Sequence, residues 1–165
     1  VPNNEVPENT NTLYVITSDK KLWECSITVR TASSKIVART EPYPGTEFRQ
    51  VATSYSGGVH ALTTTNSFIE VIAAANGLVR PPLTFPVEGF VPKEIGVGYY
   101  NIFVVGKDGT ICYCSYQGTT DTSGNVPTSD GTSWGVITTL PRPCPGLTTA
   151  KWSGSGYTYC FIVPE

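Results

Sequence analysis

The chain has 165 residues, which is enough for one domain with a hydrophobic core. Hydrophobic residues make up 39% of it and charged residues 15%, which excludes a disordered chain, and the formal net charge of −2 gives no electrostatic reason to bind nucleic acid. No apolar run approaches the roughly 20 residues of a membrane-spanning helix, so we expect neither nucleic-acid binding nor membrane insertion.

Strand signals dominate the chain after its first residues. Residues 1–11 hold two Pro and four Asn without periodicity, which predicts an extended arm before a single all-β domain over 12–165. β-branched and aromatic runs separated by polar turns then predict short strands. In chain order they are 13–17, 22–29, 35–40, 48–55, 59–65, 68–73, 78–85, 94–100, 102–107, 110–116, 134–140, 148–152 and 157–163.

Tight turns, a pair of prolines and one long loop shape the predicted strands and their connections. Residues 18–21 form a tight polar turn, and Lys107-Asp108-Gly109 is typical of a hairpin whose Gly needs a positive φ. Pro81 and Pro82 confine the strand at 78–85 to a sheet edge. Residues 117–133 form a long polar loop, a kind of segment that is usually functional or mobile.

One pattern recurs along the chain at nearly even spacing. TLYVIT (12–17), GVHALT (58–63) and NIFVVG (101–106) are each followed by a strand, and GYTYCFIV (156–163) is a truncated fourth copy. Tyr14, His60 and Phe103 lie ten positions before Glu24, Glu70 and Tyr113, with offsets of 46 and 43 between copies. A period of roughly 40 to 50 residues made of short strands is typical of propeller repeats.

The predicted strands group into units of three, four, four and two. This favours a β-propeller-like repeat of short four-stranded antiparallel units, in which the C-terminal strands complete the unit begun at the N-terminus. Three full units would make a narrow ring. Either a fourth blade is assembled from the chain's two ends, or two or more chains complete one ring. A β-sandwich of about twelve strands is the alternative fold.

IFVVGKDGTI (102–111) and WGVITTLP (134–141) resemble the strand–turn–strand unit and the Trp-led outer strand of the six-bladed fungal fucose-binding lectins and related propeller lectins. The resemblance covers residues 48–163. It implies pockets between blades that clasp a sugar with an Arg on the second strand, a Glu on the third and a neighbouring Trp or Tyr. Glu24 and Glu70 match the Glu position and Tyr113 replaces it. Tyr14, His60 and Phe103 stand where the Arg is expected.

A sugar site needs an aromatic platform and a few aimed polar groups. The chain has three Trp, nine Tyr and six Phe, and Trp23 beside Glu24 is the best such pair. Trp134 and Trp152 lie near predicted strand ends, where propeller ligands bind, although each Trp could instead pack between blades. The predicted ligand-binding residues are Trp23, Glu24, Glu70, Tyr113, Trp134 and Trp152.

The sequence gives little reason to expect an enzyme, and we predict neither a catalytic residue, a metal site nor a cofactor. His60 is the single histidine and has no ligand-spaced partners, which favours a structural role on a strand. Glu24 and Glu70 could in principle pair as in glycosidases. The segment 128–134 is similar to the Asp-box of sialidases, but it is one residue short and no arginine cluster accompanies it.

The five cysteines, Cys25, Cys112, Cys114, Cys144 and Cys160, and the absence of Met favour a secreted chain with up to two disulfides. Cys112 or Cys114 would pair with Cys25 or Cys160, and buried free thiols in a cytosolic protein are the alternative. We therefore expect a secreted lectin that binds glycans or glycoproteins, with multivalence from its repeats or from homo-oligomers. The alternative is a secreted protein-interaction module, an inhibitor or host-directed effector, that uses loop 117–133.

Overall fold

The computed structural model describes residues 10–28, 35–53, 58–73, 80–97, 101–115, 132–137, 150–155 and 160–164. Of residues 10, 115, 137, 150–155 and 160–164 it describes the backbone alone. The described residues form strands, turns and loops, which confirms the all-β class. That part of the chain contains no helix with the length and hydropathy to span a membrane.

The strands lie close to their predicted positions, and every pair with a described register is antiparallel. β1 begins within the predicted arm, whose residues 1–9 lie outside the described residues. The strands are β1 (Thr10–Ile16), β2 (Leu22–Thr28), β3 (Ile36–Thr40), β4 (Phe48–Thr53), β5 (Val59–Thr63), β6 (Phe68–Ile72), β7 (Pro92–Val97), β8 (Asn101–Gly106), β9 (Ile111–Ser115), β10 (Gly135–Ile137), β11 (Ala150–Ser155) and β12 (Cys160–Pro164).

These strands form four sheets with the orders β1-β2-β3, β4-β5-β6, β10-β9-β8-β7 and β11-β12. The predicted grouping is wrong at one place, because residues 80–85 of the strand expected at 78–85 are loop. Pro81 and Pro82 cannot donate backbone hydrogen bonds to a ladder. The chain instead crosses to β7 through a segment that carries Phe85 and Phe90, whose rings lie 4.5 Å apart.

Three hairpins share one backbone geometry, which gives the sequence repeat a structural basis. Thr17, Thr63 and Gly106 each donate an N–H to the carbonyl four residues on and accept one from the residue three on. The residue three on has a positive φ in every copy: 64° at Lys20, 64° at Asn66 and 84° at Gly109. This three-residue loop with a left-handed residue is a common hairpin connection, and it confirms the turn predicted at Gly109.

The left-handed position predicts how each turn responds to substitution. Gly109→Ala should lower the free energy of unfolding by about 1–2 kcal/mol, because a Cβ is disfavoured at that φ. Lys20→Gly removes the same strain and should not destabilise the fold. Urea unfolding of both variants measures this, with the exposed turn residue Lys107→Ala as control. Equal stability of Gly109→Ala and Lys107→Ala would contradict the shared geometry.

The chain divides into two compact units, Val1–Arg49 and Gln50–Glu165. The first holds the sheet β1-β2-β3, with Leu22, Cys25 and Thr28 buried on β2. Phe48 is also buried there, and its N–H donates to the Lys20 carbonyl at 2.8 Å. This hydrogen bond joins Phe48 to the turn of the hairpin β1–β2 within the first unit.

The second unit has its core between two sheets. Leu62 and Phe68 of the sheet β4-β5-β6 pack on a buried set from the four-stranded sheet: Ile95, Ile102, Val104 and Cys114. Gln50 on β4 ties the same sheets together through its side chain. Its Nε2 donates to the Ile95 carbonyl at 2.8 Å, and its Oε1 accepts from the Ile95 N–H at 2.7 Å.

The central strands of the second unit are buried on both faces. Every residue of β5 and of β8 is buried. On β8, Ile102 and Val104 contribute to the core cluster, whereas Phe103 and Val105 alternate to the opposite face and are buried as well. Buried faces on both sides indicate that this sheet is an inner layer.

Candidate functional site

The ten-residue spacing in the sequence is a direct cross-strand pairing. Tyr14 is the partner of Glu24 on β1 and β2, His60 is the partner of Glu70 on β5 and β6, and Phe103 is the partner of Tyr113 on β8 and β9. Cross-strand partners lie on the same face of a sheet. Each hairpin thus presents one pair at an equivalent place, and the chemistry of the pair differs in each copy.

In the first pair, the Tyr14 hydroxyl donates to Glu24 Oε2 at 3.0 Å. Burial, this hydrogen bond and the carboxylate charge together raise the pKa of Tyr14 to about 12. Trp23 does not join Glu24, because successive strand residues point to opposite faces. The Arg39 guanidinium lies over the Trp23 ring instead, with Cζ 4.8 Å from the centroid. Trp23 and Glu24 therefore lie on opposite faces of β2, as expected for neighbouring residues of a strand.

In the second pair, Glu70 is bound by an arginine that does not lie on the equivalent strand. Arg80 donates to Glu70 Oε1 through Nε at 3.3 Å and Nη2 at 3.2 Å. The Glu70 side chain is 14% exposed and that of Arg80 is 64% exposed. A guanidinium has five N–H donors, and among the described residues two of those of Arg80 bind Glu70. We call Glu70 and Arg80 the Glu70–Arg80 pair.

His60 lies on β5, directly opposite Glu70 on β6. Its Nε2 is 3.7 Å from Glu70 Oε2, and its ring stacks on Phe68 with centroids 5.2 Å apart. The side chain is fully buried, and neither ring nitrogen has a hydrogen-bond partner among the described residues. Burial lowers the pKa of His60 to about 4, although the Glu70 carboxylate raises it in part. His60 is therefore a neutral ring in the core at pH 7.

The third pair consists of two aromatic side chains. The Phe103 and Tyr113 rings lie 4.8 Å apart, and both side chains are buried. Tyr113 was predicted to contact a ligand, but the structure places it inside the second unit. Tyr113 stands at the position that Glu24 and Glu70 occupy in the other two copies, so the third copy has no acidic group there.

Trp134 packs against the core cluster of the second unit. Its ring lies 5.8 Å from that of Phe68 and 5.1 Å from that of Phe85. Its Nε1 donates to the carbonyl of Pro82 at 2.9 Å, two residues after Arg80. Trp134 is half-buried, so one part of it supports the loop that carries Arg80 and another part reaches the surface.

Three predicted features lie partly or wholly outside the described residues: Trp152, the long polar loop and Cys144. Trp152 lies on β11, where the structure describes the backbone alone. Residues 117–131 of the predicted loop, including Asp130 of the Asp-box-like segment, lie outside the described residues, as does Cys144. The described residues contain no group of three or more His, Cys, Asp or Glu side chains that could hold a metal ion.

The predicted disulfides are wrong for three of the five cysteines. Cys25, Cys112 and Cys114 are buried and form no disulfide. Burial and the charge of Asp108 raise the pKa of the Cys112 thiol to about 12, which disfavours the nucleophilic thiolate. Cys114 belongs to the core cluster of the second unit. Their place in the apolar interior explains these cysteines without a bridge.

Burial predicts how these thiols react. In the native protein, Cys25, Cys112 and Cys114 should stay unmodified by an excess of iodoacetamide, and all three should be alkylated after unfolding in guanidinium without reductant. Peptide mass spectrometry measures the modification at each position. A peptide linked through any of the three without reduction would contradict the free-thiol assignment.

Sequence reasoning missed two arginines, Arg80 and Arg39. Arg80 lies ten residues after Glu70 and was assigned to the next predicted strand, 78–85, so the sequence offered no reason to pair them. Arg39 faces Trp23 only because β3 returns beside β2, with Arg39 opposite Cys25. No family model matches the chain, and no curated protein does.

Proposed function

We propose that the chain is a non-catalytic carbohydrate-binding protein on a propeller-like repeat scaffold, with the Glu70–Arg80 pair as a binding site. The observation that carries the proposal is a largely buried carboxylate held through two N–H donors of a guanidinium whose side chain is 64% exposed. Sugar hydroxyls both donate and accept hydrogen bonds, so a carboxylate next to a guanidinium offers them complementary partners at fixed positions.

The surroundings of the pair support a sugar ligand. Phe68, Phe85 and Trp134 pack together, and Trp134 holds the Pro82 carbonyl two residues from Arg80. A rigid aromatic cluster beside a few aimed polar groups is the usual composition of a saccharide site. The lectins that the chain resembles combine an Arg, a Glu and an aromatic ring in this way, and here the arginine would come from the loop after β6.

The scaffold part of the proposal rests on the second unit. A two-layer sandwich leaves one face of each sheet in solvent, whereas the four-stranded sheet is buried on both faces along β8. Equivalent hairpins and face-to-face sheets are what successive propeller blades require. The resemblance and this layering point in the same direction.

Sites in other copies would differ from the Glu70–Arg80 pair. Glu24 offers a carboxylate next to the Tyr14 hydroxyl, without a described arginine, and the Phe103–Tyr113 pair offers no carboxylate. Weak sites of unequal strength would gain useful affinity through avidity on a multivalent glycan. The buried, neutral His60 and the buried Cys112 thiol fit a role without catalysis. Secretion stays a prediction, and the three free thiols give it no support.

Glycan-array binding followed by calorimetry on the best ligand tests the proposal. Glu70→Gln keeps the shape but removes the charge, and it should weaken binding by about tenfold or more, since hydrogen bonds to charged groups contribute about 1.5–3 kcal/mol. Glu47→Gln is the matched control, because Glu47 is exposed and lies 3.9 Å from Lys20. Binding to no glycan, or equal affinities for the two variants, would overturn the assignment.

A further inference from the structure

Glu70 lies between a buried imidazole and an exposed guanidinium, and each contact uses a different carboxylate oxygen. Its Oε2 lies 3.7 Å from His60 Nε2, whereas its Oε1 accepts from Arg80 Nε at 3.3 Å and Nη2 at 3.2 Å. The side chains of His60, Glu70 and Arg80 are 0%, 14% and 64% exposed. They therefore connect a fully buried ring to an exposed charge. We call these three side chains the ionisable cluster.

His60 has a capacity for hydrogen bonds that its neutral ring does not use. Neither ring nitrogen has a hydrogen-bond partner among the described residues, and the 3.7 Å between Nε2 and Glu70 Oε2 exceeds hydrogen-bond distance. The ring stacks on Phe68 with 8° between the two planes. A protonated imidazole carries an N–H on both nitrogens. Protonation therefore places a charged donor at Nε2, opposite a carboxylate oxygen.

Among the described residues, Glu70 is the charged group that acts on His60. The neighbouring strands also carry charged side chains, Arg49 on β4 and Lys93 and Glu94 on β7. The pKa of His60 is nevertheless shifted by burial, which lowers it, and by the Glu70 carboxylate, which raises it in part. A proton on His60 is thus stabilised by Glu70.

We propose that the ionisable cluster is a proton-operated switch, in which protonated His60 binds Glu70 from the core side and Arg80 is released. The imidazolium and the carboxylate form a charge-assisted hydrogen bond in a buried environment, where such bonds are strong. Arg80 gains less from the same carboxylate, because its side chain is mostly in solvent, and the new positive charge repels it. Acid would then weaken ligand binding at the Glu70–Arg80 pair, a consequence that rests on the proposed function.

Nuclear magnetic resonance of the full chain, titrated from pH 7 to about 3.5, tests the switch without any glycan. The His60 ring nitrogens and the Arg80 Nε–H should titrate with one common midpoint, because one proton causes both changes. The Arg80 signal should move toward its position in Glu70→Ala, where this acceptor is missing, and cover about half of that distance at pH 4. His60→Phe is the matched control. It keeps a ring against Phe68, cannot take up the proton and should lack this transition.

Carboxylates titrate in both proteins, so the difference between wild type and His60→Phe carries the result. An Arg80 signal that stays in place while His60 is protonated would overturn the switch, as would equal shifts of Arg80 in the two proteins. Unfolding of the wild type before His60 is protonated, followed by circular dichroism, would overturn it too, because the switch needs a folded core. If His60→Phe does not fold, the two midpoints within the wild type decide the question. None of these outcomes depends on whether the Glu70–Arg80 pair binds saccharide.

Discussion

Replacing Trp134 by alanine is expected to lower the free energy of unfolding by about 3 kcal/mol. Full truncation of a buried Trp removes about 3–5 kcal/mol, and the half-buried position of this ring places it at the lower end. The ring contacts Phe68 and Phe85, and its Nε1 donates to the Pro82 carbonyl. The variant loses both the packing and the anchor of the loop before β7.

A second substitution of Trp134 separates the contribution of packing from that of the hydrogen bond, and a substitution of Trp23 serves as control. Trp134→Phe keeps a ring against Phe85 but loses the hydrogen bond, so about 1 kcal/mol should be lost. Trp23→Ala is the matched control, because Trp23 is also half-buried but contacts Arg39 rather than the core cluster, and it should lose less than Trp134→Ala. Denaturant unfolding followed by fluorescence or circular dichroism measures all three. If Trp23→Ala were the more damaging change, the role of Trp134 in the core would be wrong.

The second large effect is on acid stability, through His60. Its folded-state pKa of about 4 lies below the ordinary value of 6.5, because burial disfavours the imidazolium. As the pH falls through 6.5, His60 becomes protonated in the unfolded chain, whereas in the folded chain it stays neutral until about pH 4. The contribution of neutral His60 to the free energy of unfolding is thus complete above pH 6.5 and is lost on acidification between pH 6.5 and 4. The shift corresponds to about 3 kcal/mol.

His60→Phe isolates this contribution, because phenylalanine keeps a flat ring against Phe68 and cannot be protonated. Carboxylates titrate in both proteins, so the informative quantity is the difference in unfolding free energy between wild type and variant. It should be constant above pH 6.5 and shift by about 3 kcal/mol in favour of the variant by pH 4. Glu70, whose Oε2 lies 3.7 Å from His60 Nε2, and Arg80, which binds Glu70, are retained in both proteins. Parallel stability curves would show that His60 is not a buried neutral group.

Local sequence signals predicted most of the strands and hairpins because these depend on neighbouring residues. Alternation and turn residues placed β1, β2 and β5 correctly, and the Lys107-Asp108-Gly109 turn has the predicted positive φ. The ten-residue spacing corresponds to cross-strand pairing, because a three-residue hairpin loop fixes the register of the two strands. The strand at 78–85 was wrong because Pro81 and Pro82 outweighed the apolar residues around them.

The candidate site was harder to predict because it depends on contacts between distant elements. Glu70 was identified, but its contact with Arg80, which lies in the loop before β7, could not be predicted from local signals. Trp134 was identified as a ligand contact, whereas its ring mainly packs against Phe68 and Phe85. The number of cysteines suggested disulfides, but it gives no information on the distances between them. Cys25, Cys112 and Cys114 are buried and form no disulfide.

A nitrogen–proton correlation spectrum that includes side-chain resonances, titrated with the best glycan from the array, tests the central claim most directly. The Arg80 Nε–H signal and the backbone signals around Glu70 should shift in a saturable way, with the Trp134 indole signal following through the Pro82 contact. Shifts confined to the first sheet, or no saturable shift at Arg80, would contradict a saccharide site at the Glu70–Arg80 pair.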